Sequence, residues 1–584
     1  MAYFKLITFG GLAPQVSPRL LADTLAQTAE DVILDSGRLV PIRNNTDDYT
    51  LSATGQNSIY KYEFGGVEYW LEWPDEGVDV VPGPIPGDAT GRLYWTGESG
   101  SFARMANNTS ILTGSGSYPR ASFRLGIPAP TGTASTSVSG TDDGTQTKYS
   151  TSYVYTFVSS FGEEGPPSPA STVFDKVDGQ TVTISGMDTS AGSGAGRTNT
   201  SLATKRIYRS NTGSNTTTFQ FVKEVSMATA STTDNLNNSQ LAEVIPSTYW
   251  IGPPNEVTAD FPDGPMKGLT AMPNGILAGF TGKRLCFSEP FLPHAWPVAY
   301  RVTLEEEIVG IEMAGQGLIV ATKGTPYLIA GTDPQSMSVL RIEAAQACQS
   351  KTSMVDMGPY VIYAGSDGLI AAAGTDVQVI TEGIISPEQW REQYYPSSLR
   401  GFMWEGRYIG FFTSGSNYGG FVFDPRGQQE NTFTNLSQTA TTDVSGGFTN
   451  PKDNELYLIV ETGSGPRIQK FQGANTSKTL TWKSKEFTAP KPTSMAFAKV
   501  VAESYPVVLK VYGDGSVIYH ATIAASGSTF TVTGTTPSFS STPIPETVVR
   551  LPASVHDTYA MEVQSANVVN EICIGESIDE LKGI

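Results

Sequence analysis

Between residues 248 and 473 the sequence repeats a short apolar run at a nearly constant interval. The runs begin at Ile276, Leu318, Val361, Tyr408 and Tyr457, and successive starts are 42, 43, 47 and 49 residues apart. A turn that contains glycine and a second strand-like run follow. A period of about 40–50 residues with several strands per unit is typical of β-propeller blades. The repeat therefore predicts an all-β chain built around such blades.

Similar pieces at Ile59 and Leu93 place the first blades before residue 123 and predict one propeller of five to seven blades. The Trp-Asp and Kelch signatures of two well-known propeller classes are missing. Residues 20–29 (LLADTLAQTA) are rich in good helix formers and follow Pro18, which a helix start tolerates. We therefore predict that residues 1–122 hold a short helix and the first blades, and that residues 248–473 hold the main blades.

Two further β-domains are expected. Residues 123–247 contain alternating runs such as 153–158 (YVYTFV) at the 8–12-residue spacing of a sandwich. They predict an immunoglobulin- or fibronectin-like sandwich inserted between blades, without paired cysteines. Residues 474–584 predict a C-terminal β-sandwich or jelly roll. The chain has 60 glycines and 37 prolines, which suits short strands joined by many turns.

The chain is acidic, with a net charge of −19. It has no cluster of Lys and Arg, and its longest run of like charge is the glutamate triplet at 305–307. Residues 123–247 and 474–584 each carry a net charge of −2, so the predicted propeller carries −15. Proteins that bind nucleic acid by neutralising phosphates need a basic face. The charge pattern therefore disfavours a DNA-binding role.

No catalytic, cofactor or metal constellation is apparent. The three histidines, His294, His520 and His556, lie far apart, and His294 sits in a turn-like segment where we expect a structural role. Cys286 and Cys573 lie in apolar strand-like runs and are expected to be buried free thiols, as is typical of cysteines without a disulfide or zinc spacing. The sequence predicts a protein that is not an enzyme and needs no cofactor.

The remaining candidates for chemistry are interpreted as loops. The acidic pairs 142–143 and 163–164 are expected in solvated turns, where adjacent side chains point in opposite directions and cannot face one substrate. The turn at 366–368 departs from the Ser-x-Asp-x-Gly-x-Thr-Trp turn of sialidases. The loop at 191–196 lacks the following Gly-Lys-Ser/Thr of a phosphate cradle and is expected to be flexible. Neither a signal peptide nor a membrane-spanning helix is expected.

Stretches at both ends and in the middle resemble known proteins. They are FGGLAPQVSPRLL (9–21), AED (29–31), LDSGRLVP (34–41), FGEEGPPSP (161–169) and VNEICIGESIDEL (569–581). These stretches are similar to tail proteins of short-tailed bacteriophages, in the tail nozzle or tubular protein B-like group. The likeness covers most of the chain.

The resemblance implies a structural virion protein, made in the cytoplasm of a bacterial host and located in the phage tail. Such proteins are propeller-based subunits with added β-domains. They form a six-fold ring below the portal and adaptor, continue the DNA ejection channel without binding DNA specifically, and dock tail fibres or spikes. The group has no catalytic motif to carry over, and the partner-binding residues are unknown.

The alternative is a glycan-binding or glycan-cleaving propeller at the virion tip. Convergent carboxylates in the propeller mouth would favour this alternative, and a continuous axial channel in an oligomer would favour the nozzle.

Overall fold

The structure is a computed structural model that describes residues 3–34, 37–212, 217–315, 317–426, 432–524, 531–532 and 548–582. Antiparallel β-strands dominate it. In the described ranges the α-helices are short, and their bounds are Asn108–Leu112, Pro387–Gln393 and Asp579–Lys582. The chain contacts divide the molecule into two compact units, a central unit of residues 62–343 and a terminal unit of residues 1–61 with 344–584.

The central unit contains three four-stranded sheets in which sequential strands are neighbours. Blade sheet A consists of Asp79–Pro82, Leu93–Thr96, Arg104–Ala106 and Phe123–Arg124. Blade sheet B consists of Lys267–Met272, Ile276–Thr281, Arg284–Phe287 and Val302–Thr303. Blade sheet C consists of Ile308–Ala314, Gly317–Thr322, Tyr327–Ala330 and Ser338–Arg341. The strands Ser58–Phe64 and Val67–Trp73 precede blade sheet A along the chain.

The terminal unit contains three more sheets of this kind. Blade sheet D consists of Val355–Asp356, Val361–Ala364, Leu369–Ala373 and Asp376–Val379. Blade sheet E consists of Arg400–Trp404, Arg407–Ser414, Asn417–Phe423 and Thr434–Leu436. Blade sheet F consists of Val444–Thr449, Leu456–Thr462 and Gly465–Lys470, and the N-terminal strand Thr46–Thr50 supplies its fourth strand.

The predicted repeat coincides with these sheets. Each of the five repeated runs, and also the run at Leu93, lies on the second strand of its blade sheet. A second strand has neighbours on both sides, and every residue of Ile276–Thr281 and of Gly317–Thr322 is buried. Burial on both faces explains why these runs are continuously apolar rather than alternating. The predicted fold class, all-β with propeller blades, is confirmed.

The segment between blade sheets A and B, called the insert here, has two three-stranded antiparallel sheets and a small third one. The first sheet consists of Ser135–Ser139, Thr181–Ser185 and Ser231–Asp234. The second consists of Tyr153–Ser159, Leu202–Thr212 and Thr217–Ser226, and the third pairs Tyr149–Thr151 with Phe174–Lys176. Tyr155, Val182 and Ile207 share one apolar core. The sandwich class of the insert and the four domain boundaries stay predictions.

The two chain ends meet in the terminal unit. One sheet consists of Tyr3–Leu6, Val569–Gly575, Phe497–Ala502 and Val548–Arg550. Blade sheet E continues into Ala26–Glu30, Leu480–Ser484, His556–Ser565, Val507–Gly513, Ser516–Ile523 and Thr531–Val532, and Phe487–Thr493 also pairs with His556–Ser565. The strands Val32–Ile33 and Val40–Pro41 form a hairpin. Asp35 and Ser36 of the LDSGRLVP run lie outside the described residues.

The predicted helix at residues 20–29 is wrong. Residues 18–25 form turns, and Ala26–Glu30 is a strand that pairs with Leu480–Ser484. Ala29 lies opposite Trp482, and both are fully buried. An isolated helix of this length is marginal in water, so long-range pairing and burial override the helix propensity of the segment.

Candidate functional site

The stretches at the two chain ends that carry the phage-tail resemblance fold together. Strand Tyr3–Leu6 pairs antiparallel with Val569–Gly575, and Leu39 exchanges two backbone hydrogen bonds of 3.1 Å with Val569. The indole of Trp482 donates a hydrogen bond of 3.0 Å to the carbonyl of Gly10. These contacts join segments more than 460 residues apart into one substructure.

A groove of about 680 Å³ opens on this substructure and is called the terminal groove here. The stacked rings of Phe4 and Phe487, with centroids 4.9 Å apart, contribute apolar surface. Its other lining residues are Tyr3, Lys5, Ile7, Arg19, Asp23, Lys485, Glu486 and Thr488. Tyr3 is 44% exposed and Ile7 is 61% exposed. Exposed aromatic and aliphatic side chains beside charged ones are the usual composition of a protein-binding surface.

The charges of the terminal groove are arranged as cation–carboxylate pairs. Arg19 lies 3.3 Å from Glu486, and Lys485 lies 3.0 Å from Asp23. Both carboxylates therefore face a cation rather than each other. This arrangement differs from the two carboxyl groups that flank a sugar in a glycoside hydrolase.

In the central unit, His294 is buried. Its ring meets Trp250 edge to face at 5.9 Å. Burial lowers the pKa of His294 to about 4, so the ring is neutral at physiological pH. A neutral, enclosed imidazole is suited to packing, and the structural role expected for His294 stays a prediction.

The turn before the prolines of the insert contacts blade sheet A through Glu163. The Glu163 carboxylate is buried and lies 3.4 Å from the Arg92 guanidinium, which also pairs with Asp88 at 2.7 Å. Burial raises the pKa of Glu163 to about 7, although Arg92 and Ser159 oppose the shift. Burial also acts on Asp88, but hydrogen bonds from Arg92 and Thr90 outweigh it and lower the pKa of Asp88 to about 2.

Glu164 points the other way, into the insert. It accepts hydrogen bonds of 2.7 Å from both Thr156 and Tyr208, and one of 3.2 Å from Ser247. The expectation that residues 163–164 lie in a solvated turn is therefore wrong, because distant partners satisfy both buried carboxylates. The expectation that they point in opposite directions is confirmed. The pair Asp142 and Asp143 is exposed, as predicted.

The other candidate residues named from the sequence are dispersed. His520 and His556 lie on strands of the terminal unit, where His556 contacts Asp514 at 3.0 Å. The three cysteines are buried and free, which confirms the expectation for Cys286 and Cys573. Among the described residues no group of three or more His, Cys, Asp and Glu side chains could hold a metal ion.

The exposed glutamate triplet and the glycine loop also make specific contacts. In the glutamate triplet, Glu305 pairs with Arg341 at 3.1 Å and Glu307 pairs with Lys323 at 2.6 Å. The glycine loop at 191–196 is anchored at its end, where the amide of Gly196 donates to Glu256 at 2.9 Å. Within the part of the chain that the structure describes, no helix is long and apolar enough to span a membrane.

Comparison with family models and with curated proteins found no match. Among solved structures, the β-propeller domain of Cps50 (Swd1) from Myceliophteria thermophila aligns with 12% identity and a TM-score of 0.23, over 48% of this chain and 89% of that one. YCF48 from Cyanidioschyzon merolae aligns with 10% identity and a TM-score of 0.24, over 51% and 94%. Scores this low support no inference about function, so the description of the blades rests on their own sheet topology.

Proposed function

We propose that this chain is a structural virion protein that forms the nozzle ring of a short bacteriophage tail. In this proposal six copies surround the DNA ejection channel below the portal and adaptor. The ring offers docking surfaces for tail fibres or spikes, and the chain catalyses no reaction. The protein is made in the bacterial cytoplasm and functions in the virion tail.

The observation that carries the proposal is the union of the two resembling chain ends in one substructure. Stretches 9–21 and 569–581 resemble nozzle proteins separately, and their side chains share one core in the terminal unit, with Phe9, Leu12, Ile572 and Ile574 among its members. Two resembling stretches that pack into one core support a common architecture better than stretches without mutual contacts do. The terminal groove on this region is a candidate surface for the adaptor.

Charge supplies the mechanism of DNA passage. A protein that grips duplex DNA neutralises phosphates with Lys and Arg and releases counterions. This chain carries 38 Lys and Arg against 57 Asp and Glu. A channel wall with that excess repels phosphates within a Debye length of about 8 Å at physiological ionic strength, so DNA slides along it without specific binding.

Duplex DNA binding tests this mechanism. We expect negligible binding of a fluorescent duplex in an anisotropy titration, even at about 20 mM salt, where electrostatic attraction is strongest. Micromolar binding that weakens steeply with added salt would contradict the proposal, because it requires a basic DNA-contacting face. A basic DNA-binding protein on the same duplex serves as the positive control.

The glycan-directed alternative is tested with the same purified protein. We expect no turnover of host envelope polysaccharide. Turnover that is abolished by Asp23→Asn or Glu486→Gln in the terminal groove would replace the nozzle proposal with a glycan-cleaving one. Lys485→Gln, in the same groove, is the matched control that leaves both carboxylates in place.

A further inference from the structure

The last strand of a blade sheet is an edge strand, and five of the six described here are protected. Edge strands expose unpaired backbone groups, and natural proteins protect them by shortness, by charge or by covering. In blade sheets A and B the last strand has two residues. In blade sheet D it carries Asp376, and in blade sheet F it carries Asp47 and Asp48. In blade sheet E it is covered by strand Ala26–Glu30.

Blade sheet C differs from the others. Its last strand, Ser338–Arg341, has four residues, all exposed, and a regular antiparallel register with Tyr327–Ala330. Val339 is 38% exposed and Leu340 is 45% exposed. Arg341 is engaged by Glu305, and no described strand pairs with the outer side of Ser338–Arg341. A strand of this kind is a template for pairing with another chain.

The insert has a second edge strand of the same character. Strand Ser135–Ser139 lies at the edge of its sheet, has no charged residue, and exposes 39% of Val138. The opposite edge of that sheet, Ser231–Asp234, is protected, because the ammonium of Lys223 donates to the carbonyl of Thr233. Strands Ser338–Arg341 and Ser135–Ser139 are therefore two unprotected edges in the described part of the central unit, and they are not paired with each other.

We infer that strand Ser135–Ser139 of one copy adds to strand Ser338–Arg341 of the next copy, so that the two edges join neighbouring subunits. The inference rests on the proposed ring. A contact between two different patches is head-to-tail and closes into a ring when the rotation fits, whereas pairing of either edge with itself would give only a twofold dimer.

Charge favours a second copy of this chain as the occupant. Two copies that each carry −19 repel each other, but neither edge strand contains a carboxylate. The exposed carboxylate of Glu305, beside Ser338–Arg341, is paired with Arg341 at 3.1 Å. The copies can therefore approach along these strands with little like-charge repulsion. One strand pair is smaller than a stable interface of about 1,600 Å². The pairing sets the register between subunits, and further surface contributes to affinity.

Cysteine cross-linking tests the pairing in the full chain. The three native cysteines are buried, so Ser137→Cys and Leu340→Cys each add one accessible thiol. With a short bis-maleimide, a mixture of the two single variants should give a covalent dimer, whereas each variant alone should not. The double variant should give a ladder of covalent oligomers. Val173→Cys replaces Ser137→Cys in the control mixture, since Val173 is 65% exposed in the same insert.

The outcomes separate this inference from the proposed function. Rings in the electron microscope without cross-linking would overturn the edge pairing and leave the nozzle proposal standing. A ladder without rings would support the pairing and overturn the six-fold nozzle. Neither rings nor a ladder would overturn both. Efficient cross-linking of one single variant to itself would also overturn the head-to-tail pairing.

A charged substitution tests, without added thiols, how much the strand pairing contributes to assembly. Leu340→Lys places a charge on the exposed edge, as protected strands do, and should leave the fold intact. We expect assembly to need about tenfold more protein, which corresponds to ~1.4 kcal/mol. Val173→Lys, the matched control, should assemble like the parent chain. Equal assembly of Leu340→Lys and the parent chain would overturn the inference.

Discussion

Within the insert, one ion pair lies entirely in the core. The guanidinium of Arg209 and the carboxylate of Asp234 are fully buried and lie 2.7 Å apart. The hydroxyl of Tyr153 donates to the same carboxylate oxygen at 2.7 Å, and Arg209 also donates to Asn238 at 3.1 Å. Removing one partner of such a pair leaves an uncompensated charge in the core.

Asp234→Leu should therefore destabilise the insert by about 3–5 kcal/mol in urea unfolding followed by circular dichroism. Tyr153→Phe, which removes one hydrogen bond but no charge, should cost about 1–3 kcal/mol. The double variant Arg209→Met with Asp234→Leu should recover most of the loss, because apolar residues of similar volume replace the pair. A double variant no more stable than Asp234→Leu would contradict this account of the pair.

Glu163 gives the molecule a pH dependence of defined sign. Its pKa is raised from 4.5 to about 7, so the folded protein keeps a proton that the unfolded chain releases. Stability therefore falls as pH rises from about 4.5 to 7 and does not recover above it. Between pH 5 and pH 8, Glu163→Gln should lose less stability than the parent chain, as thermal melts would show. Asp143→Asn, in an exposed turn, is the control, and parallel profiles for Glu163→Gln and the parent would contradict the prediction.

Some residue environments could be predicted from the sequence, and others could not. Cysteines in apolar runs and aspartates beside glycine have local signals, and both were placed correctly. Glu163 and Glu164 have no such signal, since their partners Arg92 and Tyr208 lie 71 and 44 residues away. The charged side chains of the terminal groove pair across even longer stretches of sequence, since 467 residues separate Arg19 from Glu486. The sequence therefore gives no local signal for the terminal groove.

At the scale of elements, the apolar repeat predicted the blade sheets because the second strand of every blade sheet is buried on both faces. The outer strands carry weaker patterns, and the fourth strand of blade sheet F comes from Thr46–Thr50, where Thr50 lies 417 residues from its partner Arg467. The helix expected at residues 20–29 failed for the same reason, since its partner strand Leu480–Ser484 is remote. Helix and strand propensities depend on the residues of one segment, so they cannot indicate pairing with a strand that is remote in the sequence.

Excision of the insert tests whether the blade sheets are independent of it. The two linkers meet at Gly126 and Gly252, where a Cβ on Gly126 would lie 2.6 Å from the Cα of Gly252. A short Gly/Ser bridge replacing residues 127–246 should therefore join the ends without strain. We expect the β-sheet spectrum and a cooperative melt to persist. Loss of both would show that the blade sheets need the insert to fold.

At the scale of the whole molecule, the proposed function rests on assembly rather than on a catalytic centre. In the part of the chain that the structure describes, the three histidines lie apart and the carboxylates of the terminal groove pair with cations. The edge strands Ser135–Ser139 and Ser338–Arg341 of the central unit are unprotected. The acidic excess of the blade-bearing segments suits a wall past which DNA moves. These features are consistent with one another in a ring-forming subunit, and the sequence predicted the acidity and the blades but not the edges.

Electron microscopy of the purified full-length chain at assembly concentration is the measurement that tests the central claim most directly. We predict closed rings with six-fold symmetry and a continuous axial channel wide enough for duplex DNA, about 20 Å or more. The Leu340→Lys variant, imaged at the same concentration, should show fewer rings than the parent chain, and Val173→Lys should match the parent. Monomers, twofold dimers or rings without an axial channel would contradict the nozzle account.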